Sequence, residues 1–233
     1  TTEIYTLSLH DALPIFTKGH EELETRFVNE LRSALTLMYG ATASAQQASC
    51  LPHLVNVQAA ERMCRLIEEN KSKVVFGGEC DAKHCFVSPT IVLNPDPKSS
   101  LVTDEIFGPI LPVVTVESIV DAVQLAASHG KPLSTYVFSN NSTVQERVLR
   151  EIQSGGASVN EVLTYASSSK LPFGGVGTSG IGKYHGKWTF KSFVHERPVV
   201  FANWFTRFTL PLRMPPYNWF HETVVVFLLQ IFG

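Results

Sequence analysis

The sequence predicts an α/β fold built from βαβ units around a parallel sheet. Short apolar runs and segments with helical periodicity alternate along the chain at roughly 25-residue intervals, as expected for such units. The composition agrees, because 44% hydrophobic and 17% charged residues over 233 positions are ordinary for a globular protein. A net charge of -2 with scattered basic residues gives no reason to expect a nucleic-acid partner.

The predicted helices follow from apolar residues that recur at three- and four-residue spacing. The first runs from Glu21 to Tyr39 and is closed by Gly40. The second runs from Val57 to about Asn70, with Asn56 as its N-cap. Two more are predicted, from Ser118 to about His129 and from a cap at Ser142 or Thr143 through Ile152.

Strands are predicted where short apolar runs are bounded by turn residues. They are Val74 to Phe76, Phe86 to Leu93, Leu111 to Val116, Tyr136 to Phe138 and Val159 to Leu163. Pro89 places the second of them at an edge or irregular position, because proline cannot donate to a sheet ladder. Ligands of such sheets bind at the carboxyl ends of the strands, and we expect the glycine-rich loops to lie there.

The most informative segment is Asp104-Glu105-Ile106-Phe107-Gly108-Pro109-Ile110-Leu111-Pro112-Val113. It places a carboxylate and an aromatic ring two residues apart in a turn, directly before an apolar run. Such a carboxylate can accept hydrogen bonds from ribose hydroxyls while the ring packs on the sugar or its base. The alternative is an ordinary turn in which Phe107 anchors the core and Glu105 is a solvated charge. This segment alone does not decide between the two.

A second segment, Leu171 to Lys187, has six glycines between Gly174 and Gly186. Its backbone must either approach something closely or turn repeatedly through positive φ. Gly175-x-Gly177-x-x-Gly180 also matches the dinucleotide fingerprint, so a different NAD(P) enzyme with a phosphate loop here is an alternative. That fingerprint needs a preceding strand, and Ser167-Ser168-Ser169-Lys170-Leu171-Pro172 does not read as one.

The two segments together resemble the aldehyde dehydrogenase superfamily. The first is similar to its glutamate-phenylalanine motif and the second to its "PFGG…SG.G" loop. The continuation Tyr184-His185-Gly186-Lys187 is similar to the class 3 or fatty aldehyde branch, and the resemblance covers about Lys18 to Tyr217. It implies that Glu105 and Phe107 hold the nicotinamide half of NAD (or NADP), and that Phe173 lines the tunnel that admits the aldehyde.

The resemblance implies oxidation of aldehydes, of medium- or long-chain or fatty type, to carboxylic acids. In that family a cysteine thiolate attacks the carbonyl, hydride passes to the nicotinamide, and a glutamate-activated water hydrolyses the thioester. The family's nucleophile lies in a Gly-Gln-x-Cys type motif and its base lies further upstream, so no catalytic residue is assigned in this chain. We expect a partial catalytic domain with C-terminal oligomerisation strands, inactive alone and homodimeric in its full-length form. The alternative is a non-catalytic structural or interaction remnant.

The cysteines predict a reducing, cytoplasmic environment. Cys50, Cys64, Cys80 and Cys85 occur without a secretory signal, which favours reduced thiols, and Cys64 is predicted to be a core residue on an apolar helix face. The spacing Cys80-x4-Cys85 beside His84 resembles half of a metal clip. A zinc site needs a matching second pair, which the sequence lacks, so no metal site is predicted.

Three regions are predicted: a non-family stretch 1–17, a partial catalytic and oligomerisation region 18–210, and a hydrophobic tail 211–233. Residues 5–15 resemble translated sequencing-adapter sequence, so we expect a mis-joined gene model, with a genuine extension as the alternative. In the tail, Val224 to Phe232 is apolar except at Gln230 and is too short for a bilayer span, which takes about 20 residues. The resemblance implies the start of a membrane anchor, on the endoplasmic reticulum or another membrane surface. The alternative is a cover for the protein's own core or a dimer partner.

Overall fold

The computed structural model describes residues 4–7, 15–18, 21–39, 51–204, 207, 209 and 214–232. The chain divides into two compact units, Thr1–Phe193 and Val194–Gly233. The first unit carries the sheet and both motifs that the sequence singles out. The second unit carries one long helix at its end.

The first unit is organised around a mixed sheet. The strands in the described residues are β1 (Ile4–Leu7), β2 (Ile15–Lys18), β3 (Val74–Phe76), β4 (Cys80–Asp81), β5 (Phe86–Val87), β6 (Thr90–Leu93), β7 (Ile110–Val116), β8 (Ser134–Phe138) and β9 (Gly156–Val159). Seven of them form one sheet in the order β3-β6-β7-β2-β1-β8-β9, and β4 pairs with β5 in a separate hairpin.

The strand directions confirm the predicted parallel α/β core. The pairs β6·β7, β2·β7 and β8·β9 are parallel. The pairs β1·β2, β1·β8 and β3·β6 are antiparallel. It follows that β2, β6, β7, β8 and β9 all run in one direction, and only β1 and β3 oppose them. The amino ends of β6, β7, β8 and β9 therefore lie at the same edge of the sheet.

The helices are α1 (Glu21–Tyr39), α2 (Val57–Glu69), α3 (Ser100–Thr103), α4 (Ile119–Ser128), α5 (Ser142–Glu151), α6 (Thr164–Ser167), α7 (Lys187–Phe193) and α8 (Trp219–Phe232). The predicted caps of α2 and α4 are confirmed, because Asn56 accepts from the amide of Ala59 and Ser118 accepts from the amide of Asp121. Asn141, one residue before the predicted cap, closes the first turn of α5. The predicted cap at Ser142 or Thr143 is therefore wrong, because the side chain of Asn141 accepts from the amide of Thr143, and asparagine is as good an N-cap as serine. Gly40 lies outside the described residues.

Two apolar clusters cover the sheet. One packs α4 and α5 against β7 and β8; its buried members are Val116, Ala122, Val123, Ala126, Val137, Val148 and Ile152. The other packs α2 against β5, β6 and the start of β7; its buried members are Met63, Leu66, Ile67, Val87, Val92, Leu101, Ile106 and Ile110. The second cluster carries the candidate site, because Ile106 belongs to the motif that precedes β7.

Two strand predictions need correction. The run from Phe86 to Leu93 is divided into β5 and β6 at Ser88 and Pro89, because proline interrupts the ladder. The last strand spans Gly156–Val159 rather than Val159–Leu163. Asn160 and Leu163 have positive φ angles, 55° and 61°, so the chain turns where a strand was predicted. Gly156, the second glycine after α5, therefore starts the strand.

The ends of the chain are described only in part. The backbone of Ile4–Leu7 and Ile15–Lys18 forms two strands of the main sheet, and the boundary at residue 17 stays a prediction. Among the described residues after Val159 no strand is present, so the expected oligomerisation strands are not found there. None of the helices in the described part of the chain is long and apolar enough to span a membrane.

The prediction of reduced thiols is wrong for one pair of cysteines. Cys64 of α2 and Cys80 of β4 are joined by a disulfide, with their Cα atoms 5.7 Å apart. Cysteine content cannot show which residues meet in space, whereas the packing of α2 on the β4–β5 hairpin brings these two together. Cα atoms at this separation lie within the range of about 4.4–6.8 Å that a disulfide spans. Cys80 is therefore joined to Cys64 rather than grouped with Cys85, and Cys50 lies outside the described residues.

Candidate functional site

The clamp segment, Asp104 to Pro109, connects α3 to β7. Its exposure alternates sharply: Ile106 is fully buried, whereas Glu105 is exposed and Phe107 is 61% exposed. Ile106, and not Phe107, is the residue that anchors this segment in the core. The alternative in which Phe107 is a core anchor therefore fails. The segment presents a carboxylate and a ring to the surface on either side of a buried isoleucine.

The backbone of the clamp segment is held in an uncommon conformation. Phe107 has φ of +46°, in the left-handed region that residues other than glycine rarely occupy. Such a conformation costs about 1–3 kcal/mol and persists only where the surroundings enforce it. Next to it, a Cβ on Gly108 would lie 2.2 Å from Sδ of Met63, so only glycine fits against α2 here. Helix α2 is therefore part of what enforces the conformation.

Arg62 provides a second contact between α2 and the clamp segment, in addition to that of Met63 with Gly108. Its Nη1 donates to the carbonyl oxygen of Glu105 at 3.2 Å, and its Nη2 donates to the carbonyl oxygen of Ile106. The guanidinium thus binds two successive carbonyls of the clamp segment. Sequence reasoning missed Arg62, because it reads as one more basic residue on an amphipathic helix and its partners lie 43 and 44 residues away.

The clamp segment lies at the amino end of β7. The amide of Thr90, at the start of β6, donates to the carbonyl of Pro109 at 2.8 Å, which fixes the entry into β7 beside its parallel neighbour. This position contradicts the expectation that the site lies at the carboxyl ends of the strands. The rule that ligands bind at the carboxyl ends of strands describes open sheets with a crevice at a switch point. The clamp segment precedes β7 in the chain, so it lies at the amino end of that strand.

The glycine loop, Phe173 to Tyr184, is closed on itself. The amide of Phe173 donates to the carbonyl of Tyr184 at 3.1 Å, and the amide of Tyr184 donates back at 2.9 Å. A Cβ on Gly174 would lie 2.2 Å from the carbonyl oxygen of Gly182, and one on Gly175 would lie 2.1 Å from that of Ser179. The close approach expected of these glycines is therefore made within the loop itself.

This packing argues against a phosphate loop. No strand precedes the fingerprint glycines in the described chain between Val159 and Gly175, and the residues 177–179 form only a single 3-10 turn. A pyrophosphate cradle needs a strand before the glycines and the amino end of a helix after them. Neither is present in this part of the structure, so the alternative of a different NAD(P) enzyme that uses Gly175 to Gly180 loses its support.

Phe173 is the centre of an aromatic cluster. Its ring centroid lies 5.8 Å from that of Tyr165, 5.6 Å from that of Tyr184 and 6.0 Å from that of His185. Its contact with Tyr184 is edge-on, a favourable arrangement for aromatic pairs. Phe173 itself remains half-buried. The sequence pointed to Phe173 but not to Tyr165, which lies outside the motif.

Tyr165 connects this cluster to the sheet. Its hydroxyl shares a hydrogen bond with Oγ of Ser134 at the start of β8. Burial raises the pKa of Tyr165 above its usual value, while the hydrogen bond to Ser134 opposes that shift. A Cβ on Gly156 would lie 2.4 Å from the ring of Tyr165, which explains a glycine at the start of β9. The phenol is therefore neutral and lies at the amino ends of β8 and β9.

Both motifs lie at the same edge of the sheet. A Cβ on Gly155, directly before β9, would be 2.1 Å from the carbonyl oxygen of Gly174, so the glycine loop packs on the amino ends of β8 and β9. The clamp segment precedes β7, which runs in the same direction. In the sheet order, β7 and β8 are three strand spacings apart, or about 14 Å. The structure thus places Glu105 and Phe107 at the β7 end of this edge, and the cluster around Phe173 further along the same edge, at β8 and β9.

Comparison with known proteins gives one consistent family. Residues 19–199 match the sequence model of the aldehyde dehydrogenase family. The chain is 37% identical over 205 residues to aldehyde dehydrogenase family 3 comG of Dictyostelium discoideum, covering 88% of this chain and 43% of that protein. It is 35% identical over 205 residues to 4,4'-diaponeurosporen-aldehyde dehydrogenase of Staphylococcus aureus, covering 88% and 44%. It is 36% identical over 193 residues to aldehyde dehydrogenase family 3 member A2 of Rattus norvegicus, covering 83% and 39%.

Solved structures agree with the sequence relatives. The substrate-bound AldH of Staphylococcus aureus superimposes with a TM-score of 0.74 at 30% identity, over 91% of this chain and 46% of that one. Succinic semialdehyde dehydrogenase of Streptococcus pyogenes, in complex with NADP+, gives a TM-score of 0.67 at 27% identity, over 78% and 40%. This chain therefore spans less than half the length of the relatives it matches.

Proposed function

The chain belongs to the aldehyde dehydrogenase family, and on that premise we propose that it contributes a cofactor clamp and a substrate wall to an enzyme that oxidises aldehydes to carboxylic acids with NAD or NADP. The observation that carries the proposal is the exposure of Glu105 and Phe107 on either side of the buried Ile106. A solvated turn has no need of an exposed ring in a left-handed backbone conformation beside an exposed carboxylate.

The residues present fit a nicotinamide ribose. The carboxylate of Glu105 can accept hydrogen bonds from two sugar hydroxyls, and the ring of Phe107 offers a flat apolar face for the sugar or the base. When bound, the nicotinamide supplies the acceptor for the hydride that leaves the substrate. The role of the chain's own residues is to fix the position and orientation of that group. Either NAD or NADP satisfies these contacts, because both carry the same nicotinamide ribose.

The second motif supports an apolar substrate. Phe173, with Tyr165 and Tyr184 packed around it, forms an aromatic surface suited to a hydrocarbon chain. We infer that the substrate is a medium- or long-chain or fatty aldehyde, and that Phe173 lines its entry tunnel. The nucleophilic cysteine and the general base are proposed to come from the portion of the relatives' length that this chain does not span. Cys64 and Cys80 are paired with each other and are not available as thiolates.

Assembly and location are part of the same proposal. We propose that the full-length enzyme is a homodimer in the cytoplasm or on a membrane surface such as the endoplasmic reticulum. Helix α8 supports surface association, because Trp219, Phe220, Val226 and Phe227 are exposed apolar side chains on it. An amphipathic or apolar helix that is too short to span can lie in the membrane interface. The same side chains would also suit a protein partner.

The test compares two gene products. One is the 233-residue chain, and the other is the longest product read from genomic or transcript sequence upstream of codon 17. Each is incubated with hexanal, decanal or hexadecanal and with NAD or NADP, and the formation of the reduced cofactor is followed at 340 nm. We expect the longer product to turn over the longer aldehydes and the 233-residue chain to be inactive. A longer product inactive with every aldehyde would contradict the proposal, and activity of the 233-residue chain would show that its own residues supply the nucleophile.

A further inference from the structure

We propose that Arg62 is a positioning residue for the cofactor clamp: it holds the backbone that presents Glu105 and Phe107. The inference rests on the proposed role of those two side chains. Arg62 acts on the backbone of the clamp segment. Its guanidinium binds the carbonyl oxygens of Glu105 and Ile106, the two that immediately precede Phe107.

The geometry explains why two successive carbonyls matter. Fixing the carbonyl of Glu105 and that of Ile106 fixes the planes of two successive peptide groups, because each peptide group is rigid. These two planes define φ and ψ of Ile106. The second plane is also one of the two that define φ of Phe107, the other being the peptide plane between Phe107 and Gly108. Phe107 has φ of +46°, which a free loop would rarely adopt. The guanidinium thus holds one of the two planes that define this angle, and the contact of Gly108 with Met63 restrains the other.

Arginine is the side chain suited to this contact. Its planar fork presents two donors at a fixed spacing, and each donor reaches one carbonyl. A lysine ammonium is a single point of charge on a flexible stem and cannot hold both planes in a defined relation. Arg62 is half-buried, so water competes less well for these carbonyls than it would at the surface.

Helix α2 gives the arginine a rigid base. Asn56 caps the first turn of α2. Met63, which follows Arg62 in the helix, is fully buried and packs against Gly108. Cys64 ties the same turn of the helix to β4. Three successive residues of α2 therefore bind the carbonyls of the clamp segment, pack beneath it and anchor the helix to the hairpin. A shift of α2 would move the clamp.

The experiment uses three variants of the full-length enzyme. Arg62→Met removes the hydrogen bonds and keeps much of the length of the side chain, and Arg62→Lys keeps the charge without the fork. Arg65→Met is the matched control, because Arg65 is an exposed arginine three residues further along α2. Backbone order is read by hydrogen–deuterium exchange of peptides that cover residues 104–111, without cofactor. Cofactor binding is read from the kcat and KM for NAD and from the fluorescence anisotropy of bound NADH.

For Arg62→Met we expect faster exchange in residues 104–111. The KM for NAD should rise by about tenfold, which is the change in binding that the loss of one charge-assisted hydrogen bond corresponds to. The anisotropy of bound NADH should fall, and the KM for the aldehyde should stay unchanged. Arg62→Lys should fall between Arg62→Met and the wild type, and Arg65→Met should match the wild type in every readout. A merely structural role would lower the active fraction, and hence kcat, without changing the KM for NAD.

Two results would overturn the inference in different ways. Unchanged exchange in Arg62→Met would show that the arginine does not order the clamp segment. Faster exchange with an unchanged KM for NAD, in an enzyme whose Glu105→Gln variant does show a raised KM, would show that the clamp works without this ordering. Failure of the proposed function has a separate signature: Glu105→Gln and Phe107→Ala would both leave the KM for NAD unchanged.

Discussion

Gly108 and Met63 are in direct contact, and the contact leaves no room for a side chain on the glycine. A Cβ on Gly108 would lie 2.2 Å from Sδ of Met63, well inside the closest approach of real atoms, and 3.0 Å from Cγ. Met63 is fully buried and belongs to the same apolar cluster as Ile106. The glycine that follows the exposed ring is thus required by the packing of α2 and not only by the turn.

This contact predicts a non-additive pair of substitutions. Gly108→Ala should lower the free energy of unfolding by about 1–3 kcal/mol, the usual cost of overpacking a core. Met63→Ala should cost about 2–5 kcal/mol by leaving a cavity, but it also frees the space that a Cβ on residue 108 needs. Adding Gly108→Ala in the Met63→Ala background should therefore cost little more. Urea denaturation of the four proteins measures the coupling. Additive losses would show that the two residues do not compete for the same space.

Glu105→Gln tests the carboxylate of the clamp. The substitution keeps the shape of the side chain and removes its charge, so each hydrogen bond to a ribose hydroxyl loses the charge assistance. We expect the KM for NAD to rise, or kcat to fall, by an amount equivalent to about 1.5–3 kcal/mol. The melting temperature should change little, because the side chain is exposed. Glu117→Gln, an exposed carboxylate at the opposite end of β7, is the matched control. Kinetics identical to those of the wild type would end the assignment of Glu105.

Phe107→Ala and Ile106→Ala should separate function from stability in adjacent residues. The ring of Phe107 is largely exposed, so its loss should change the free energy of unfolding by no more than about 0.5 kcal/mol. The same change should weaken cofactor binding and slow hydride transfer through lost packing. Ile106→Ala should cost about 2–5 kcal/mol of stability, because Ile106 is fully buried. Thermal melts and NAD kinetics of both variants are compared. The opposite division, with Phe107→Ala unstable but kinetically normal, would restore the view of Phe107 as a core anchor.

The sequence predicted those parts of the fold whose causes are local. The bounds of α1 and α2 and the cap at Asn56 followed from apolar spacing and one side-chain hydrogen bond. The last strand was misplaced, because Gly156 was interpreted as a helix end and not as the first residue of a strand. The reason for a glycine there is the ring of Tyr165, which packs against it from outside the strand. The disulfide between Cys64 and Cys80 was missed for a similar reason, since the proximity of the two residues depends on how α2 packs on a hairpin.

The candidate site shows the same division. Glu105, Phe107 and Phe173 were chosen from motifs, and the structure describes each of them. Arg62 could not be chosen, because its partners are backbone carbonyls more than forty residues away, and carbonyls carry no sequence signal. The edge of the sheet was also predicted wrongly. A motif that directly precedes β7 must lie at the amino end of that strand, and the general rule for open sheets was applied without regard to this order.

The disulfide predicts a redox-dependent stability. It closes a loop between residues 16 positions apart, for which the chain-entropy estimate is about 3 kcal/mol. Dithiothreitol should therefore lower the denaturation midpoint of the wild type and leave that of the Cys64→Ala/Cys80→Ala double variant unchanged. Cys85→Ala should remain sensitive to the reductant, because Cys85 is a free thiol. Mass spectrometry should find Cys64 and Cys80 alkylated only after reduction. Alkylation of both before reduction would show that the bond is absent in solution.

Phe173→Leu should change the response to the substrate and not to the cofactor. Leucine keeps an apolar side chain in the aromatic cluster but removes the ring face that meets Tyr165 and Tyr184. We expect the KM for decanal or hexadecanal to rise several-fold, an effect of about 1 kcal/mol, because an aromatic contact is worth about 0.5–1.5 kcal/mol beyond its area. The KM for hexanal should rise less, since a shorter chain covers less of the cluster, and the KM for NAD should not change. Leu171→Ala, two residues earlier and exposed, is the control for general disturbance of the loop. Equal losses for all three aldehydes, accompanied by a raised KM for NAD, would assign Phe173 to the packing of the glycine loop rather than to the substrate tunnel.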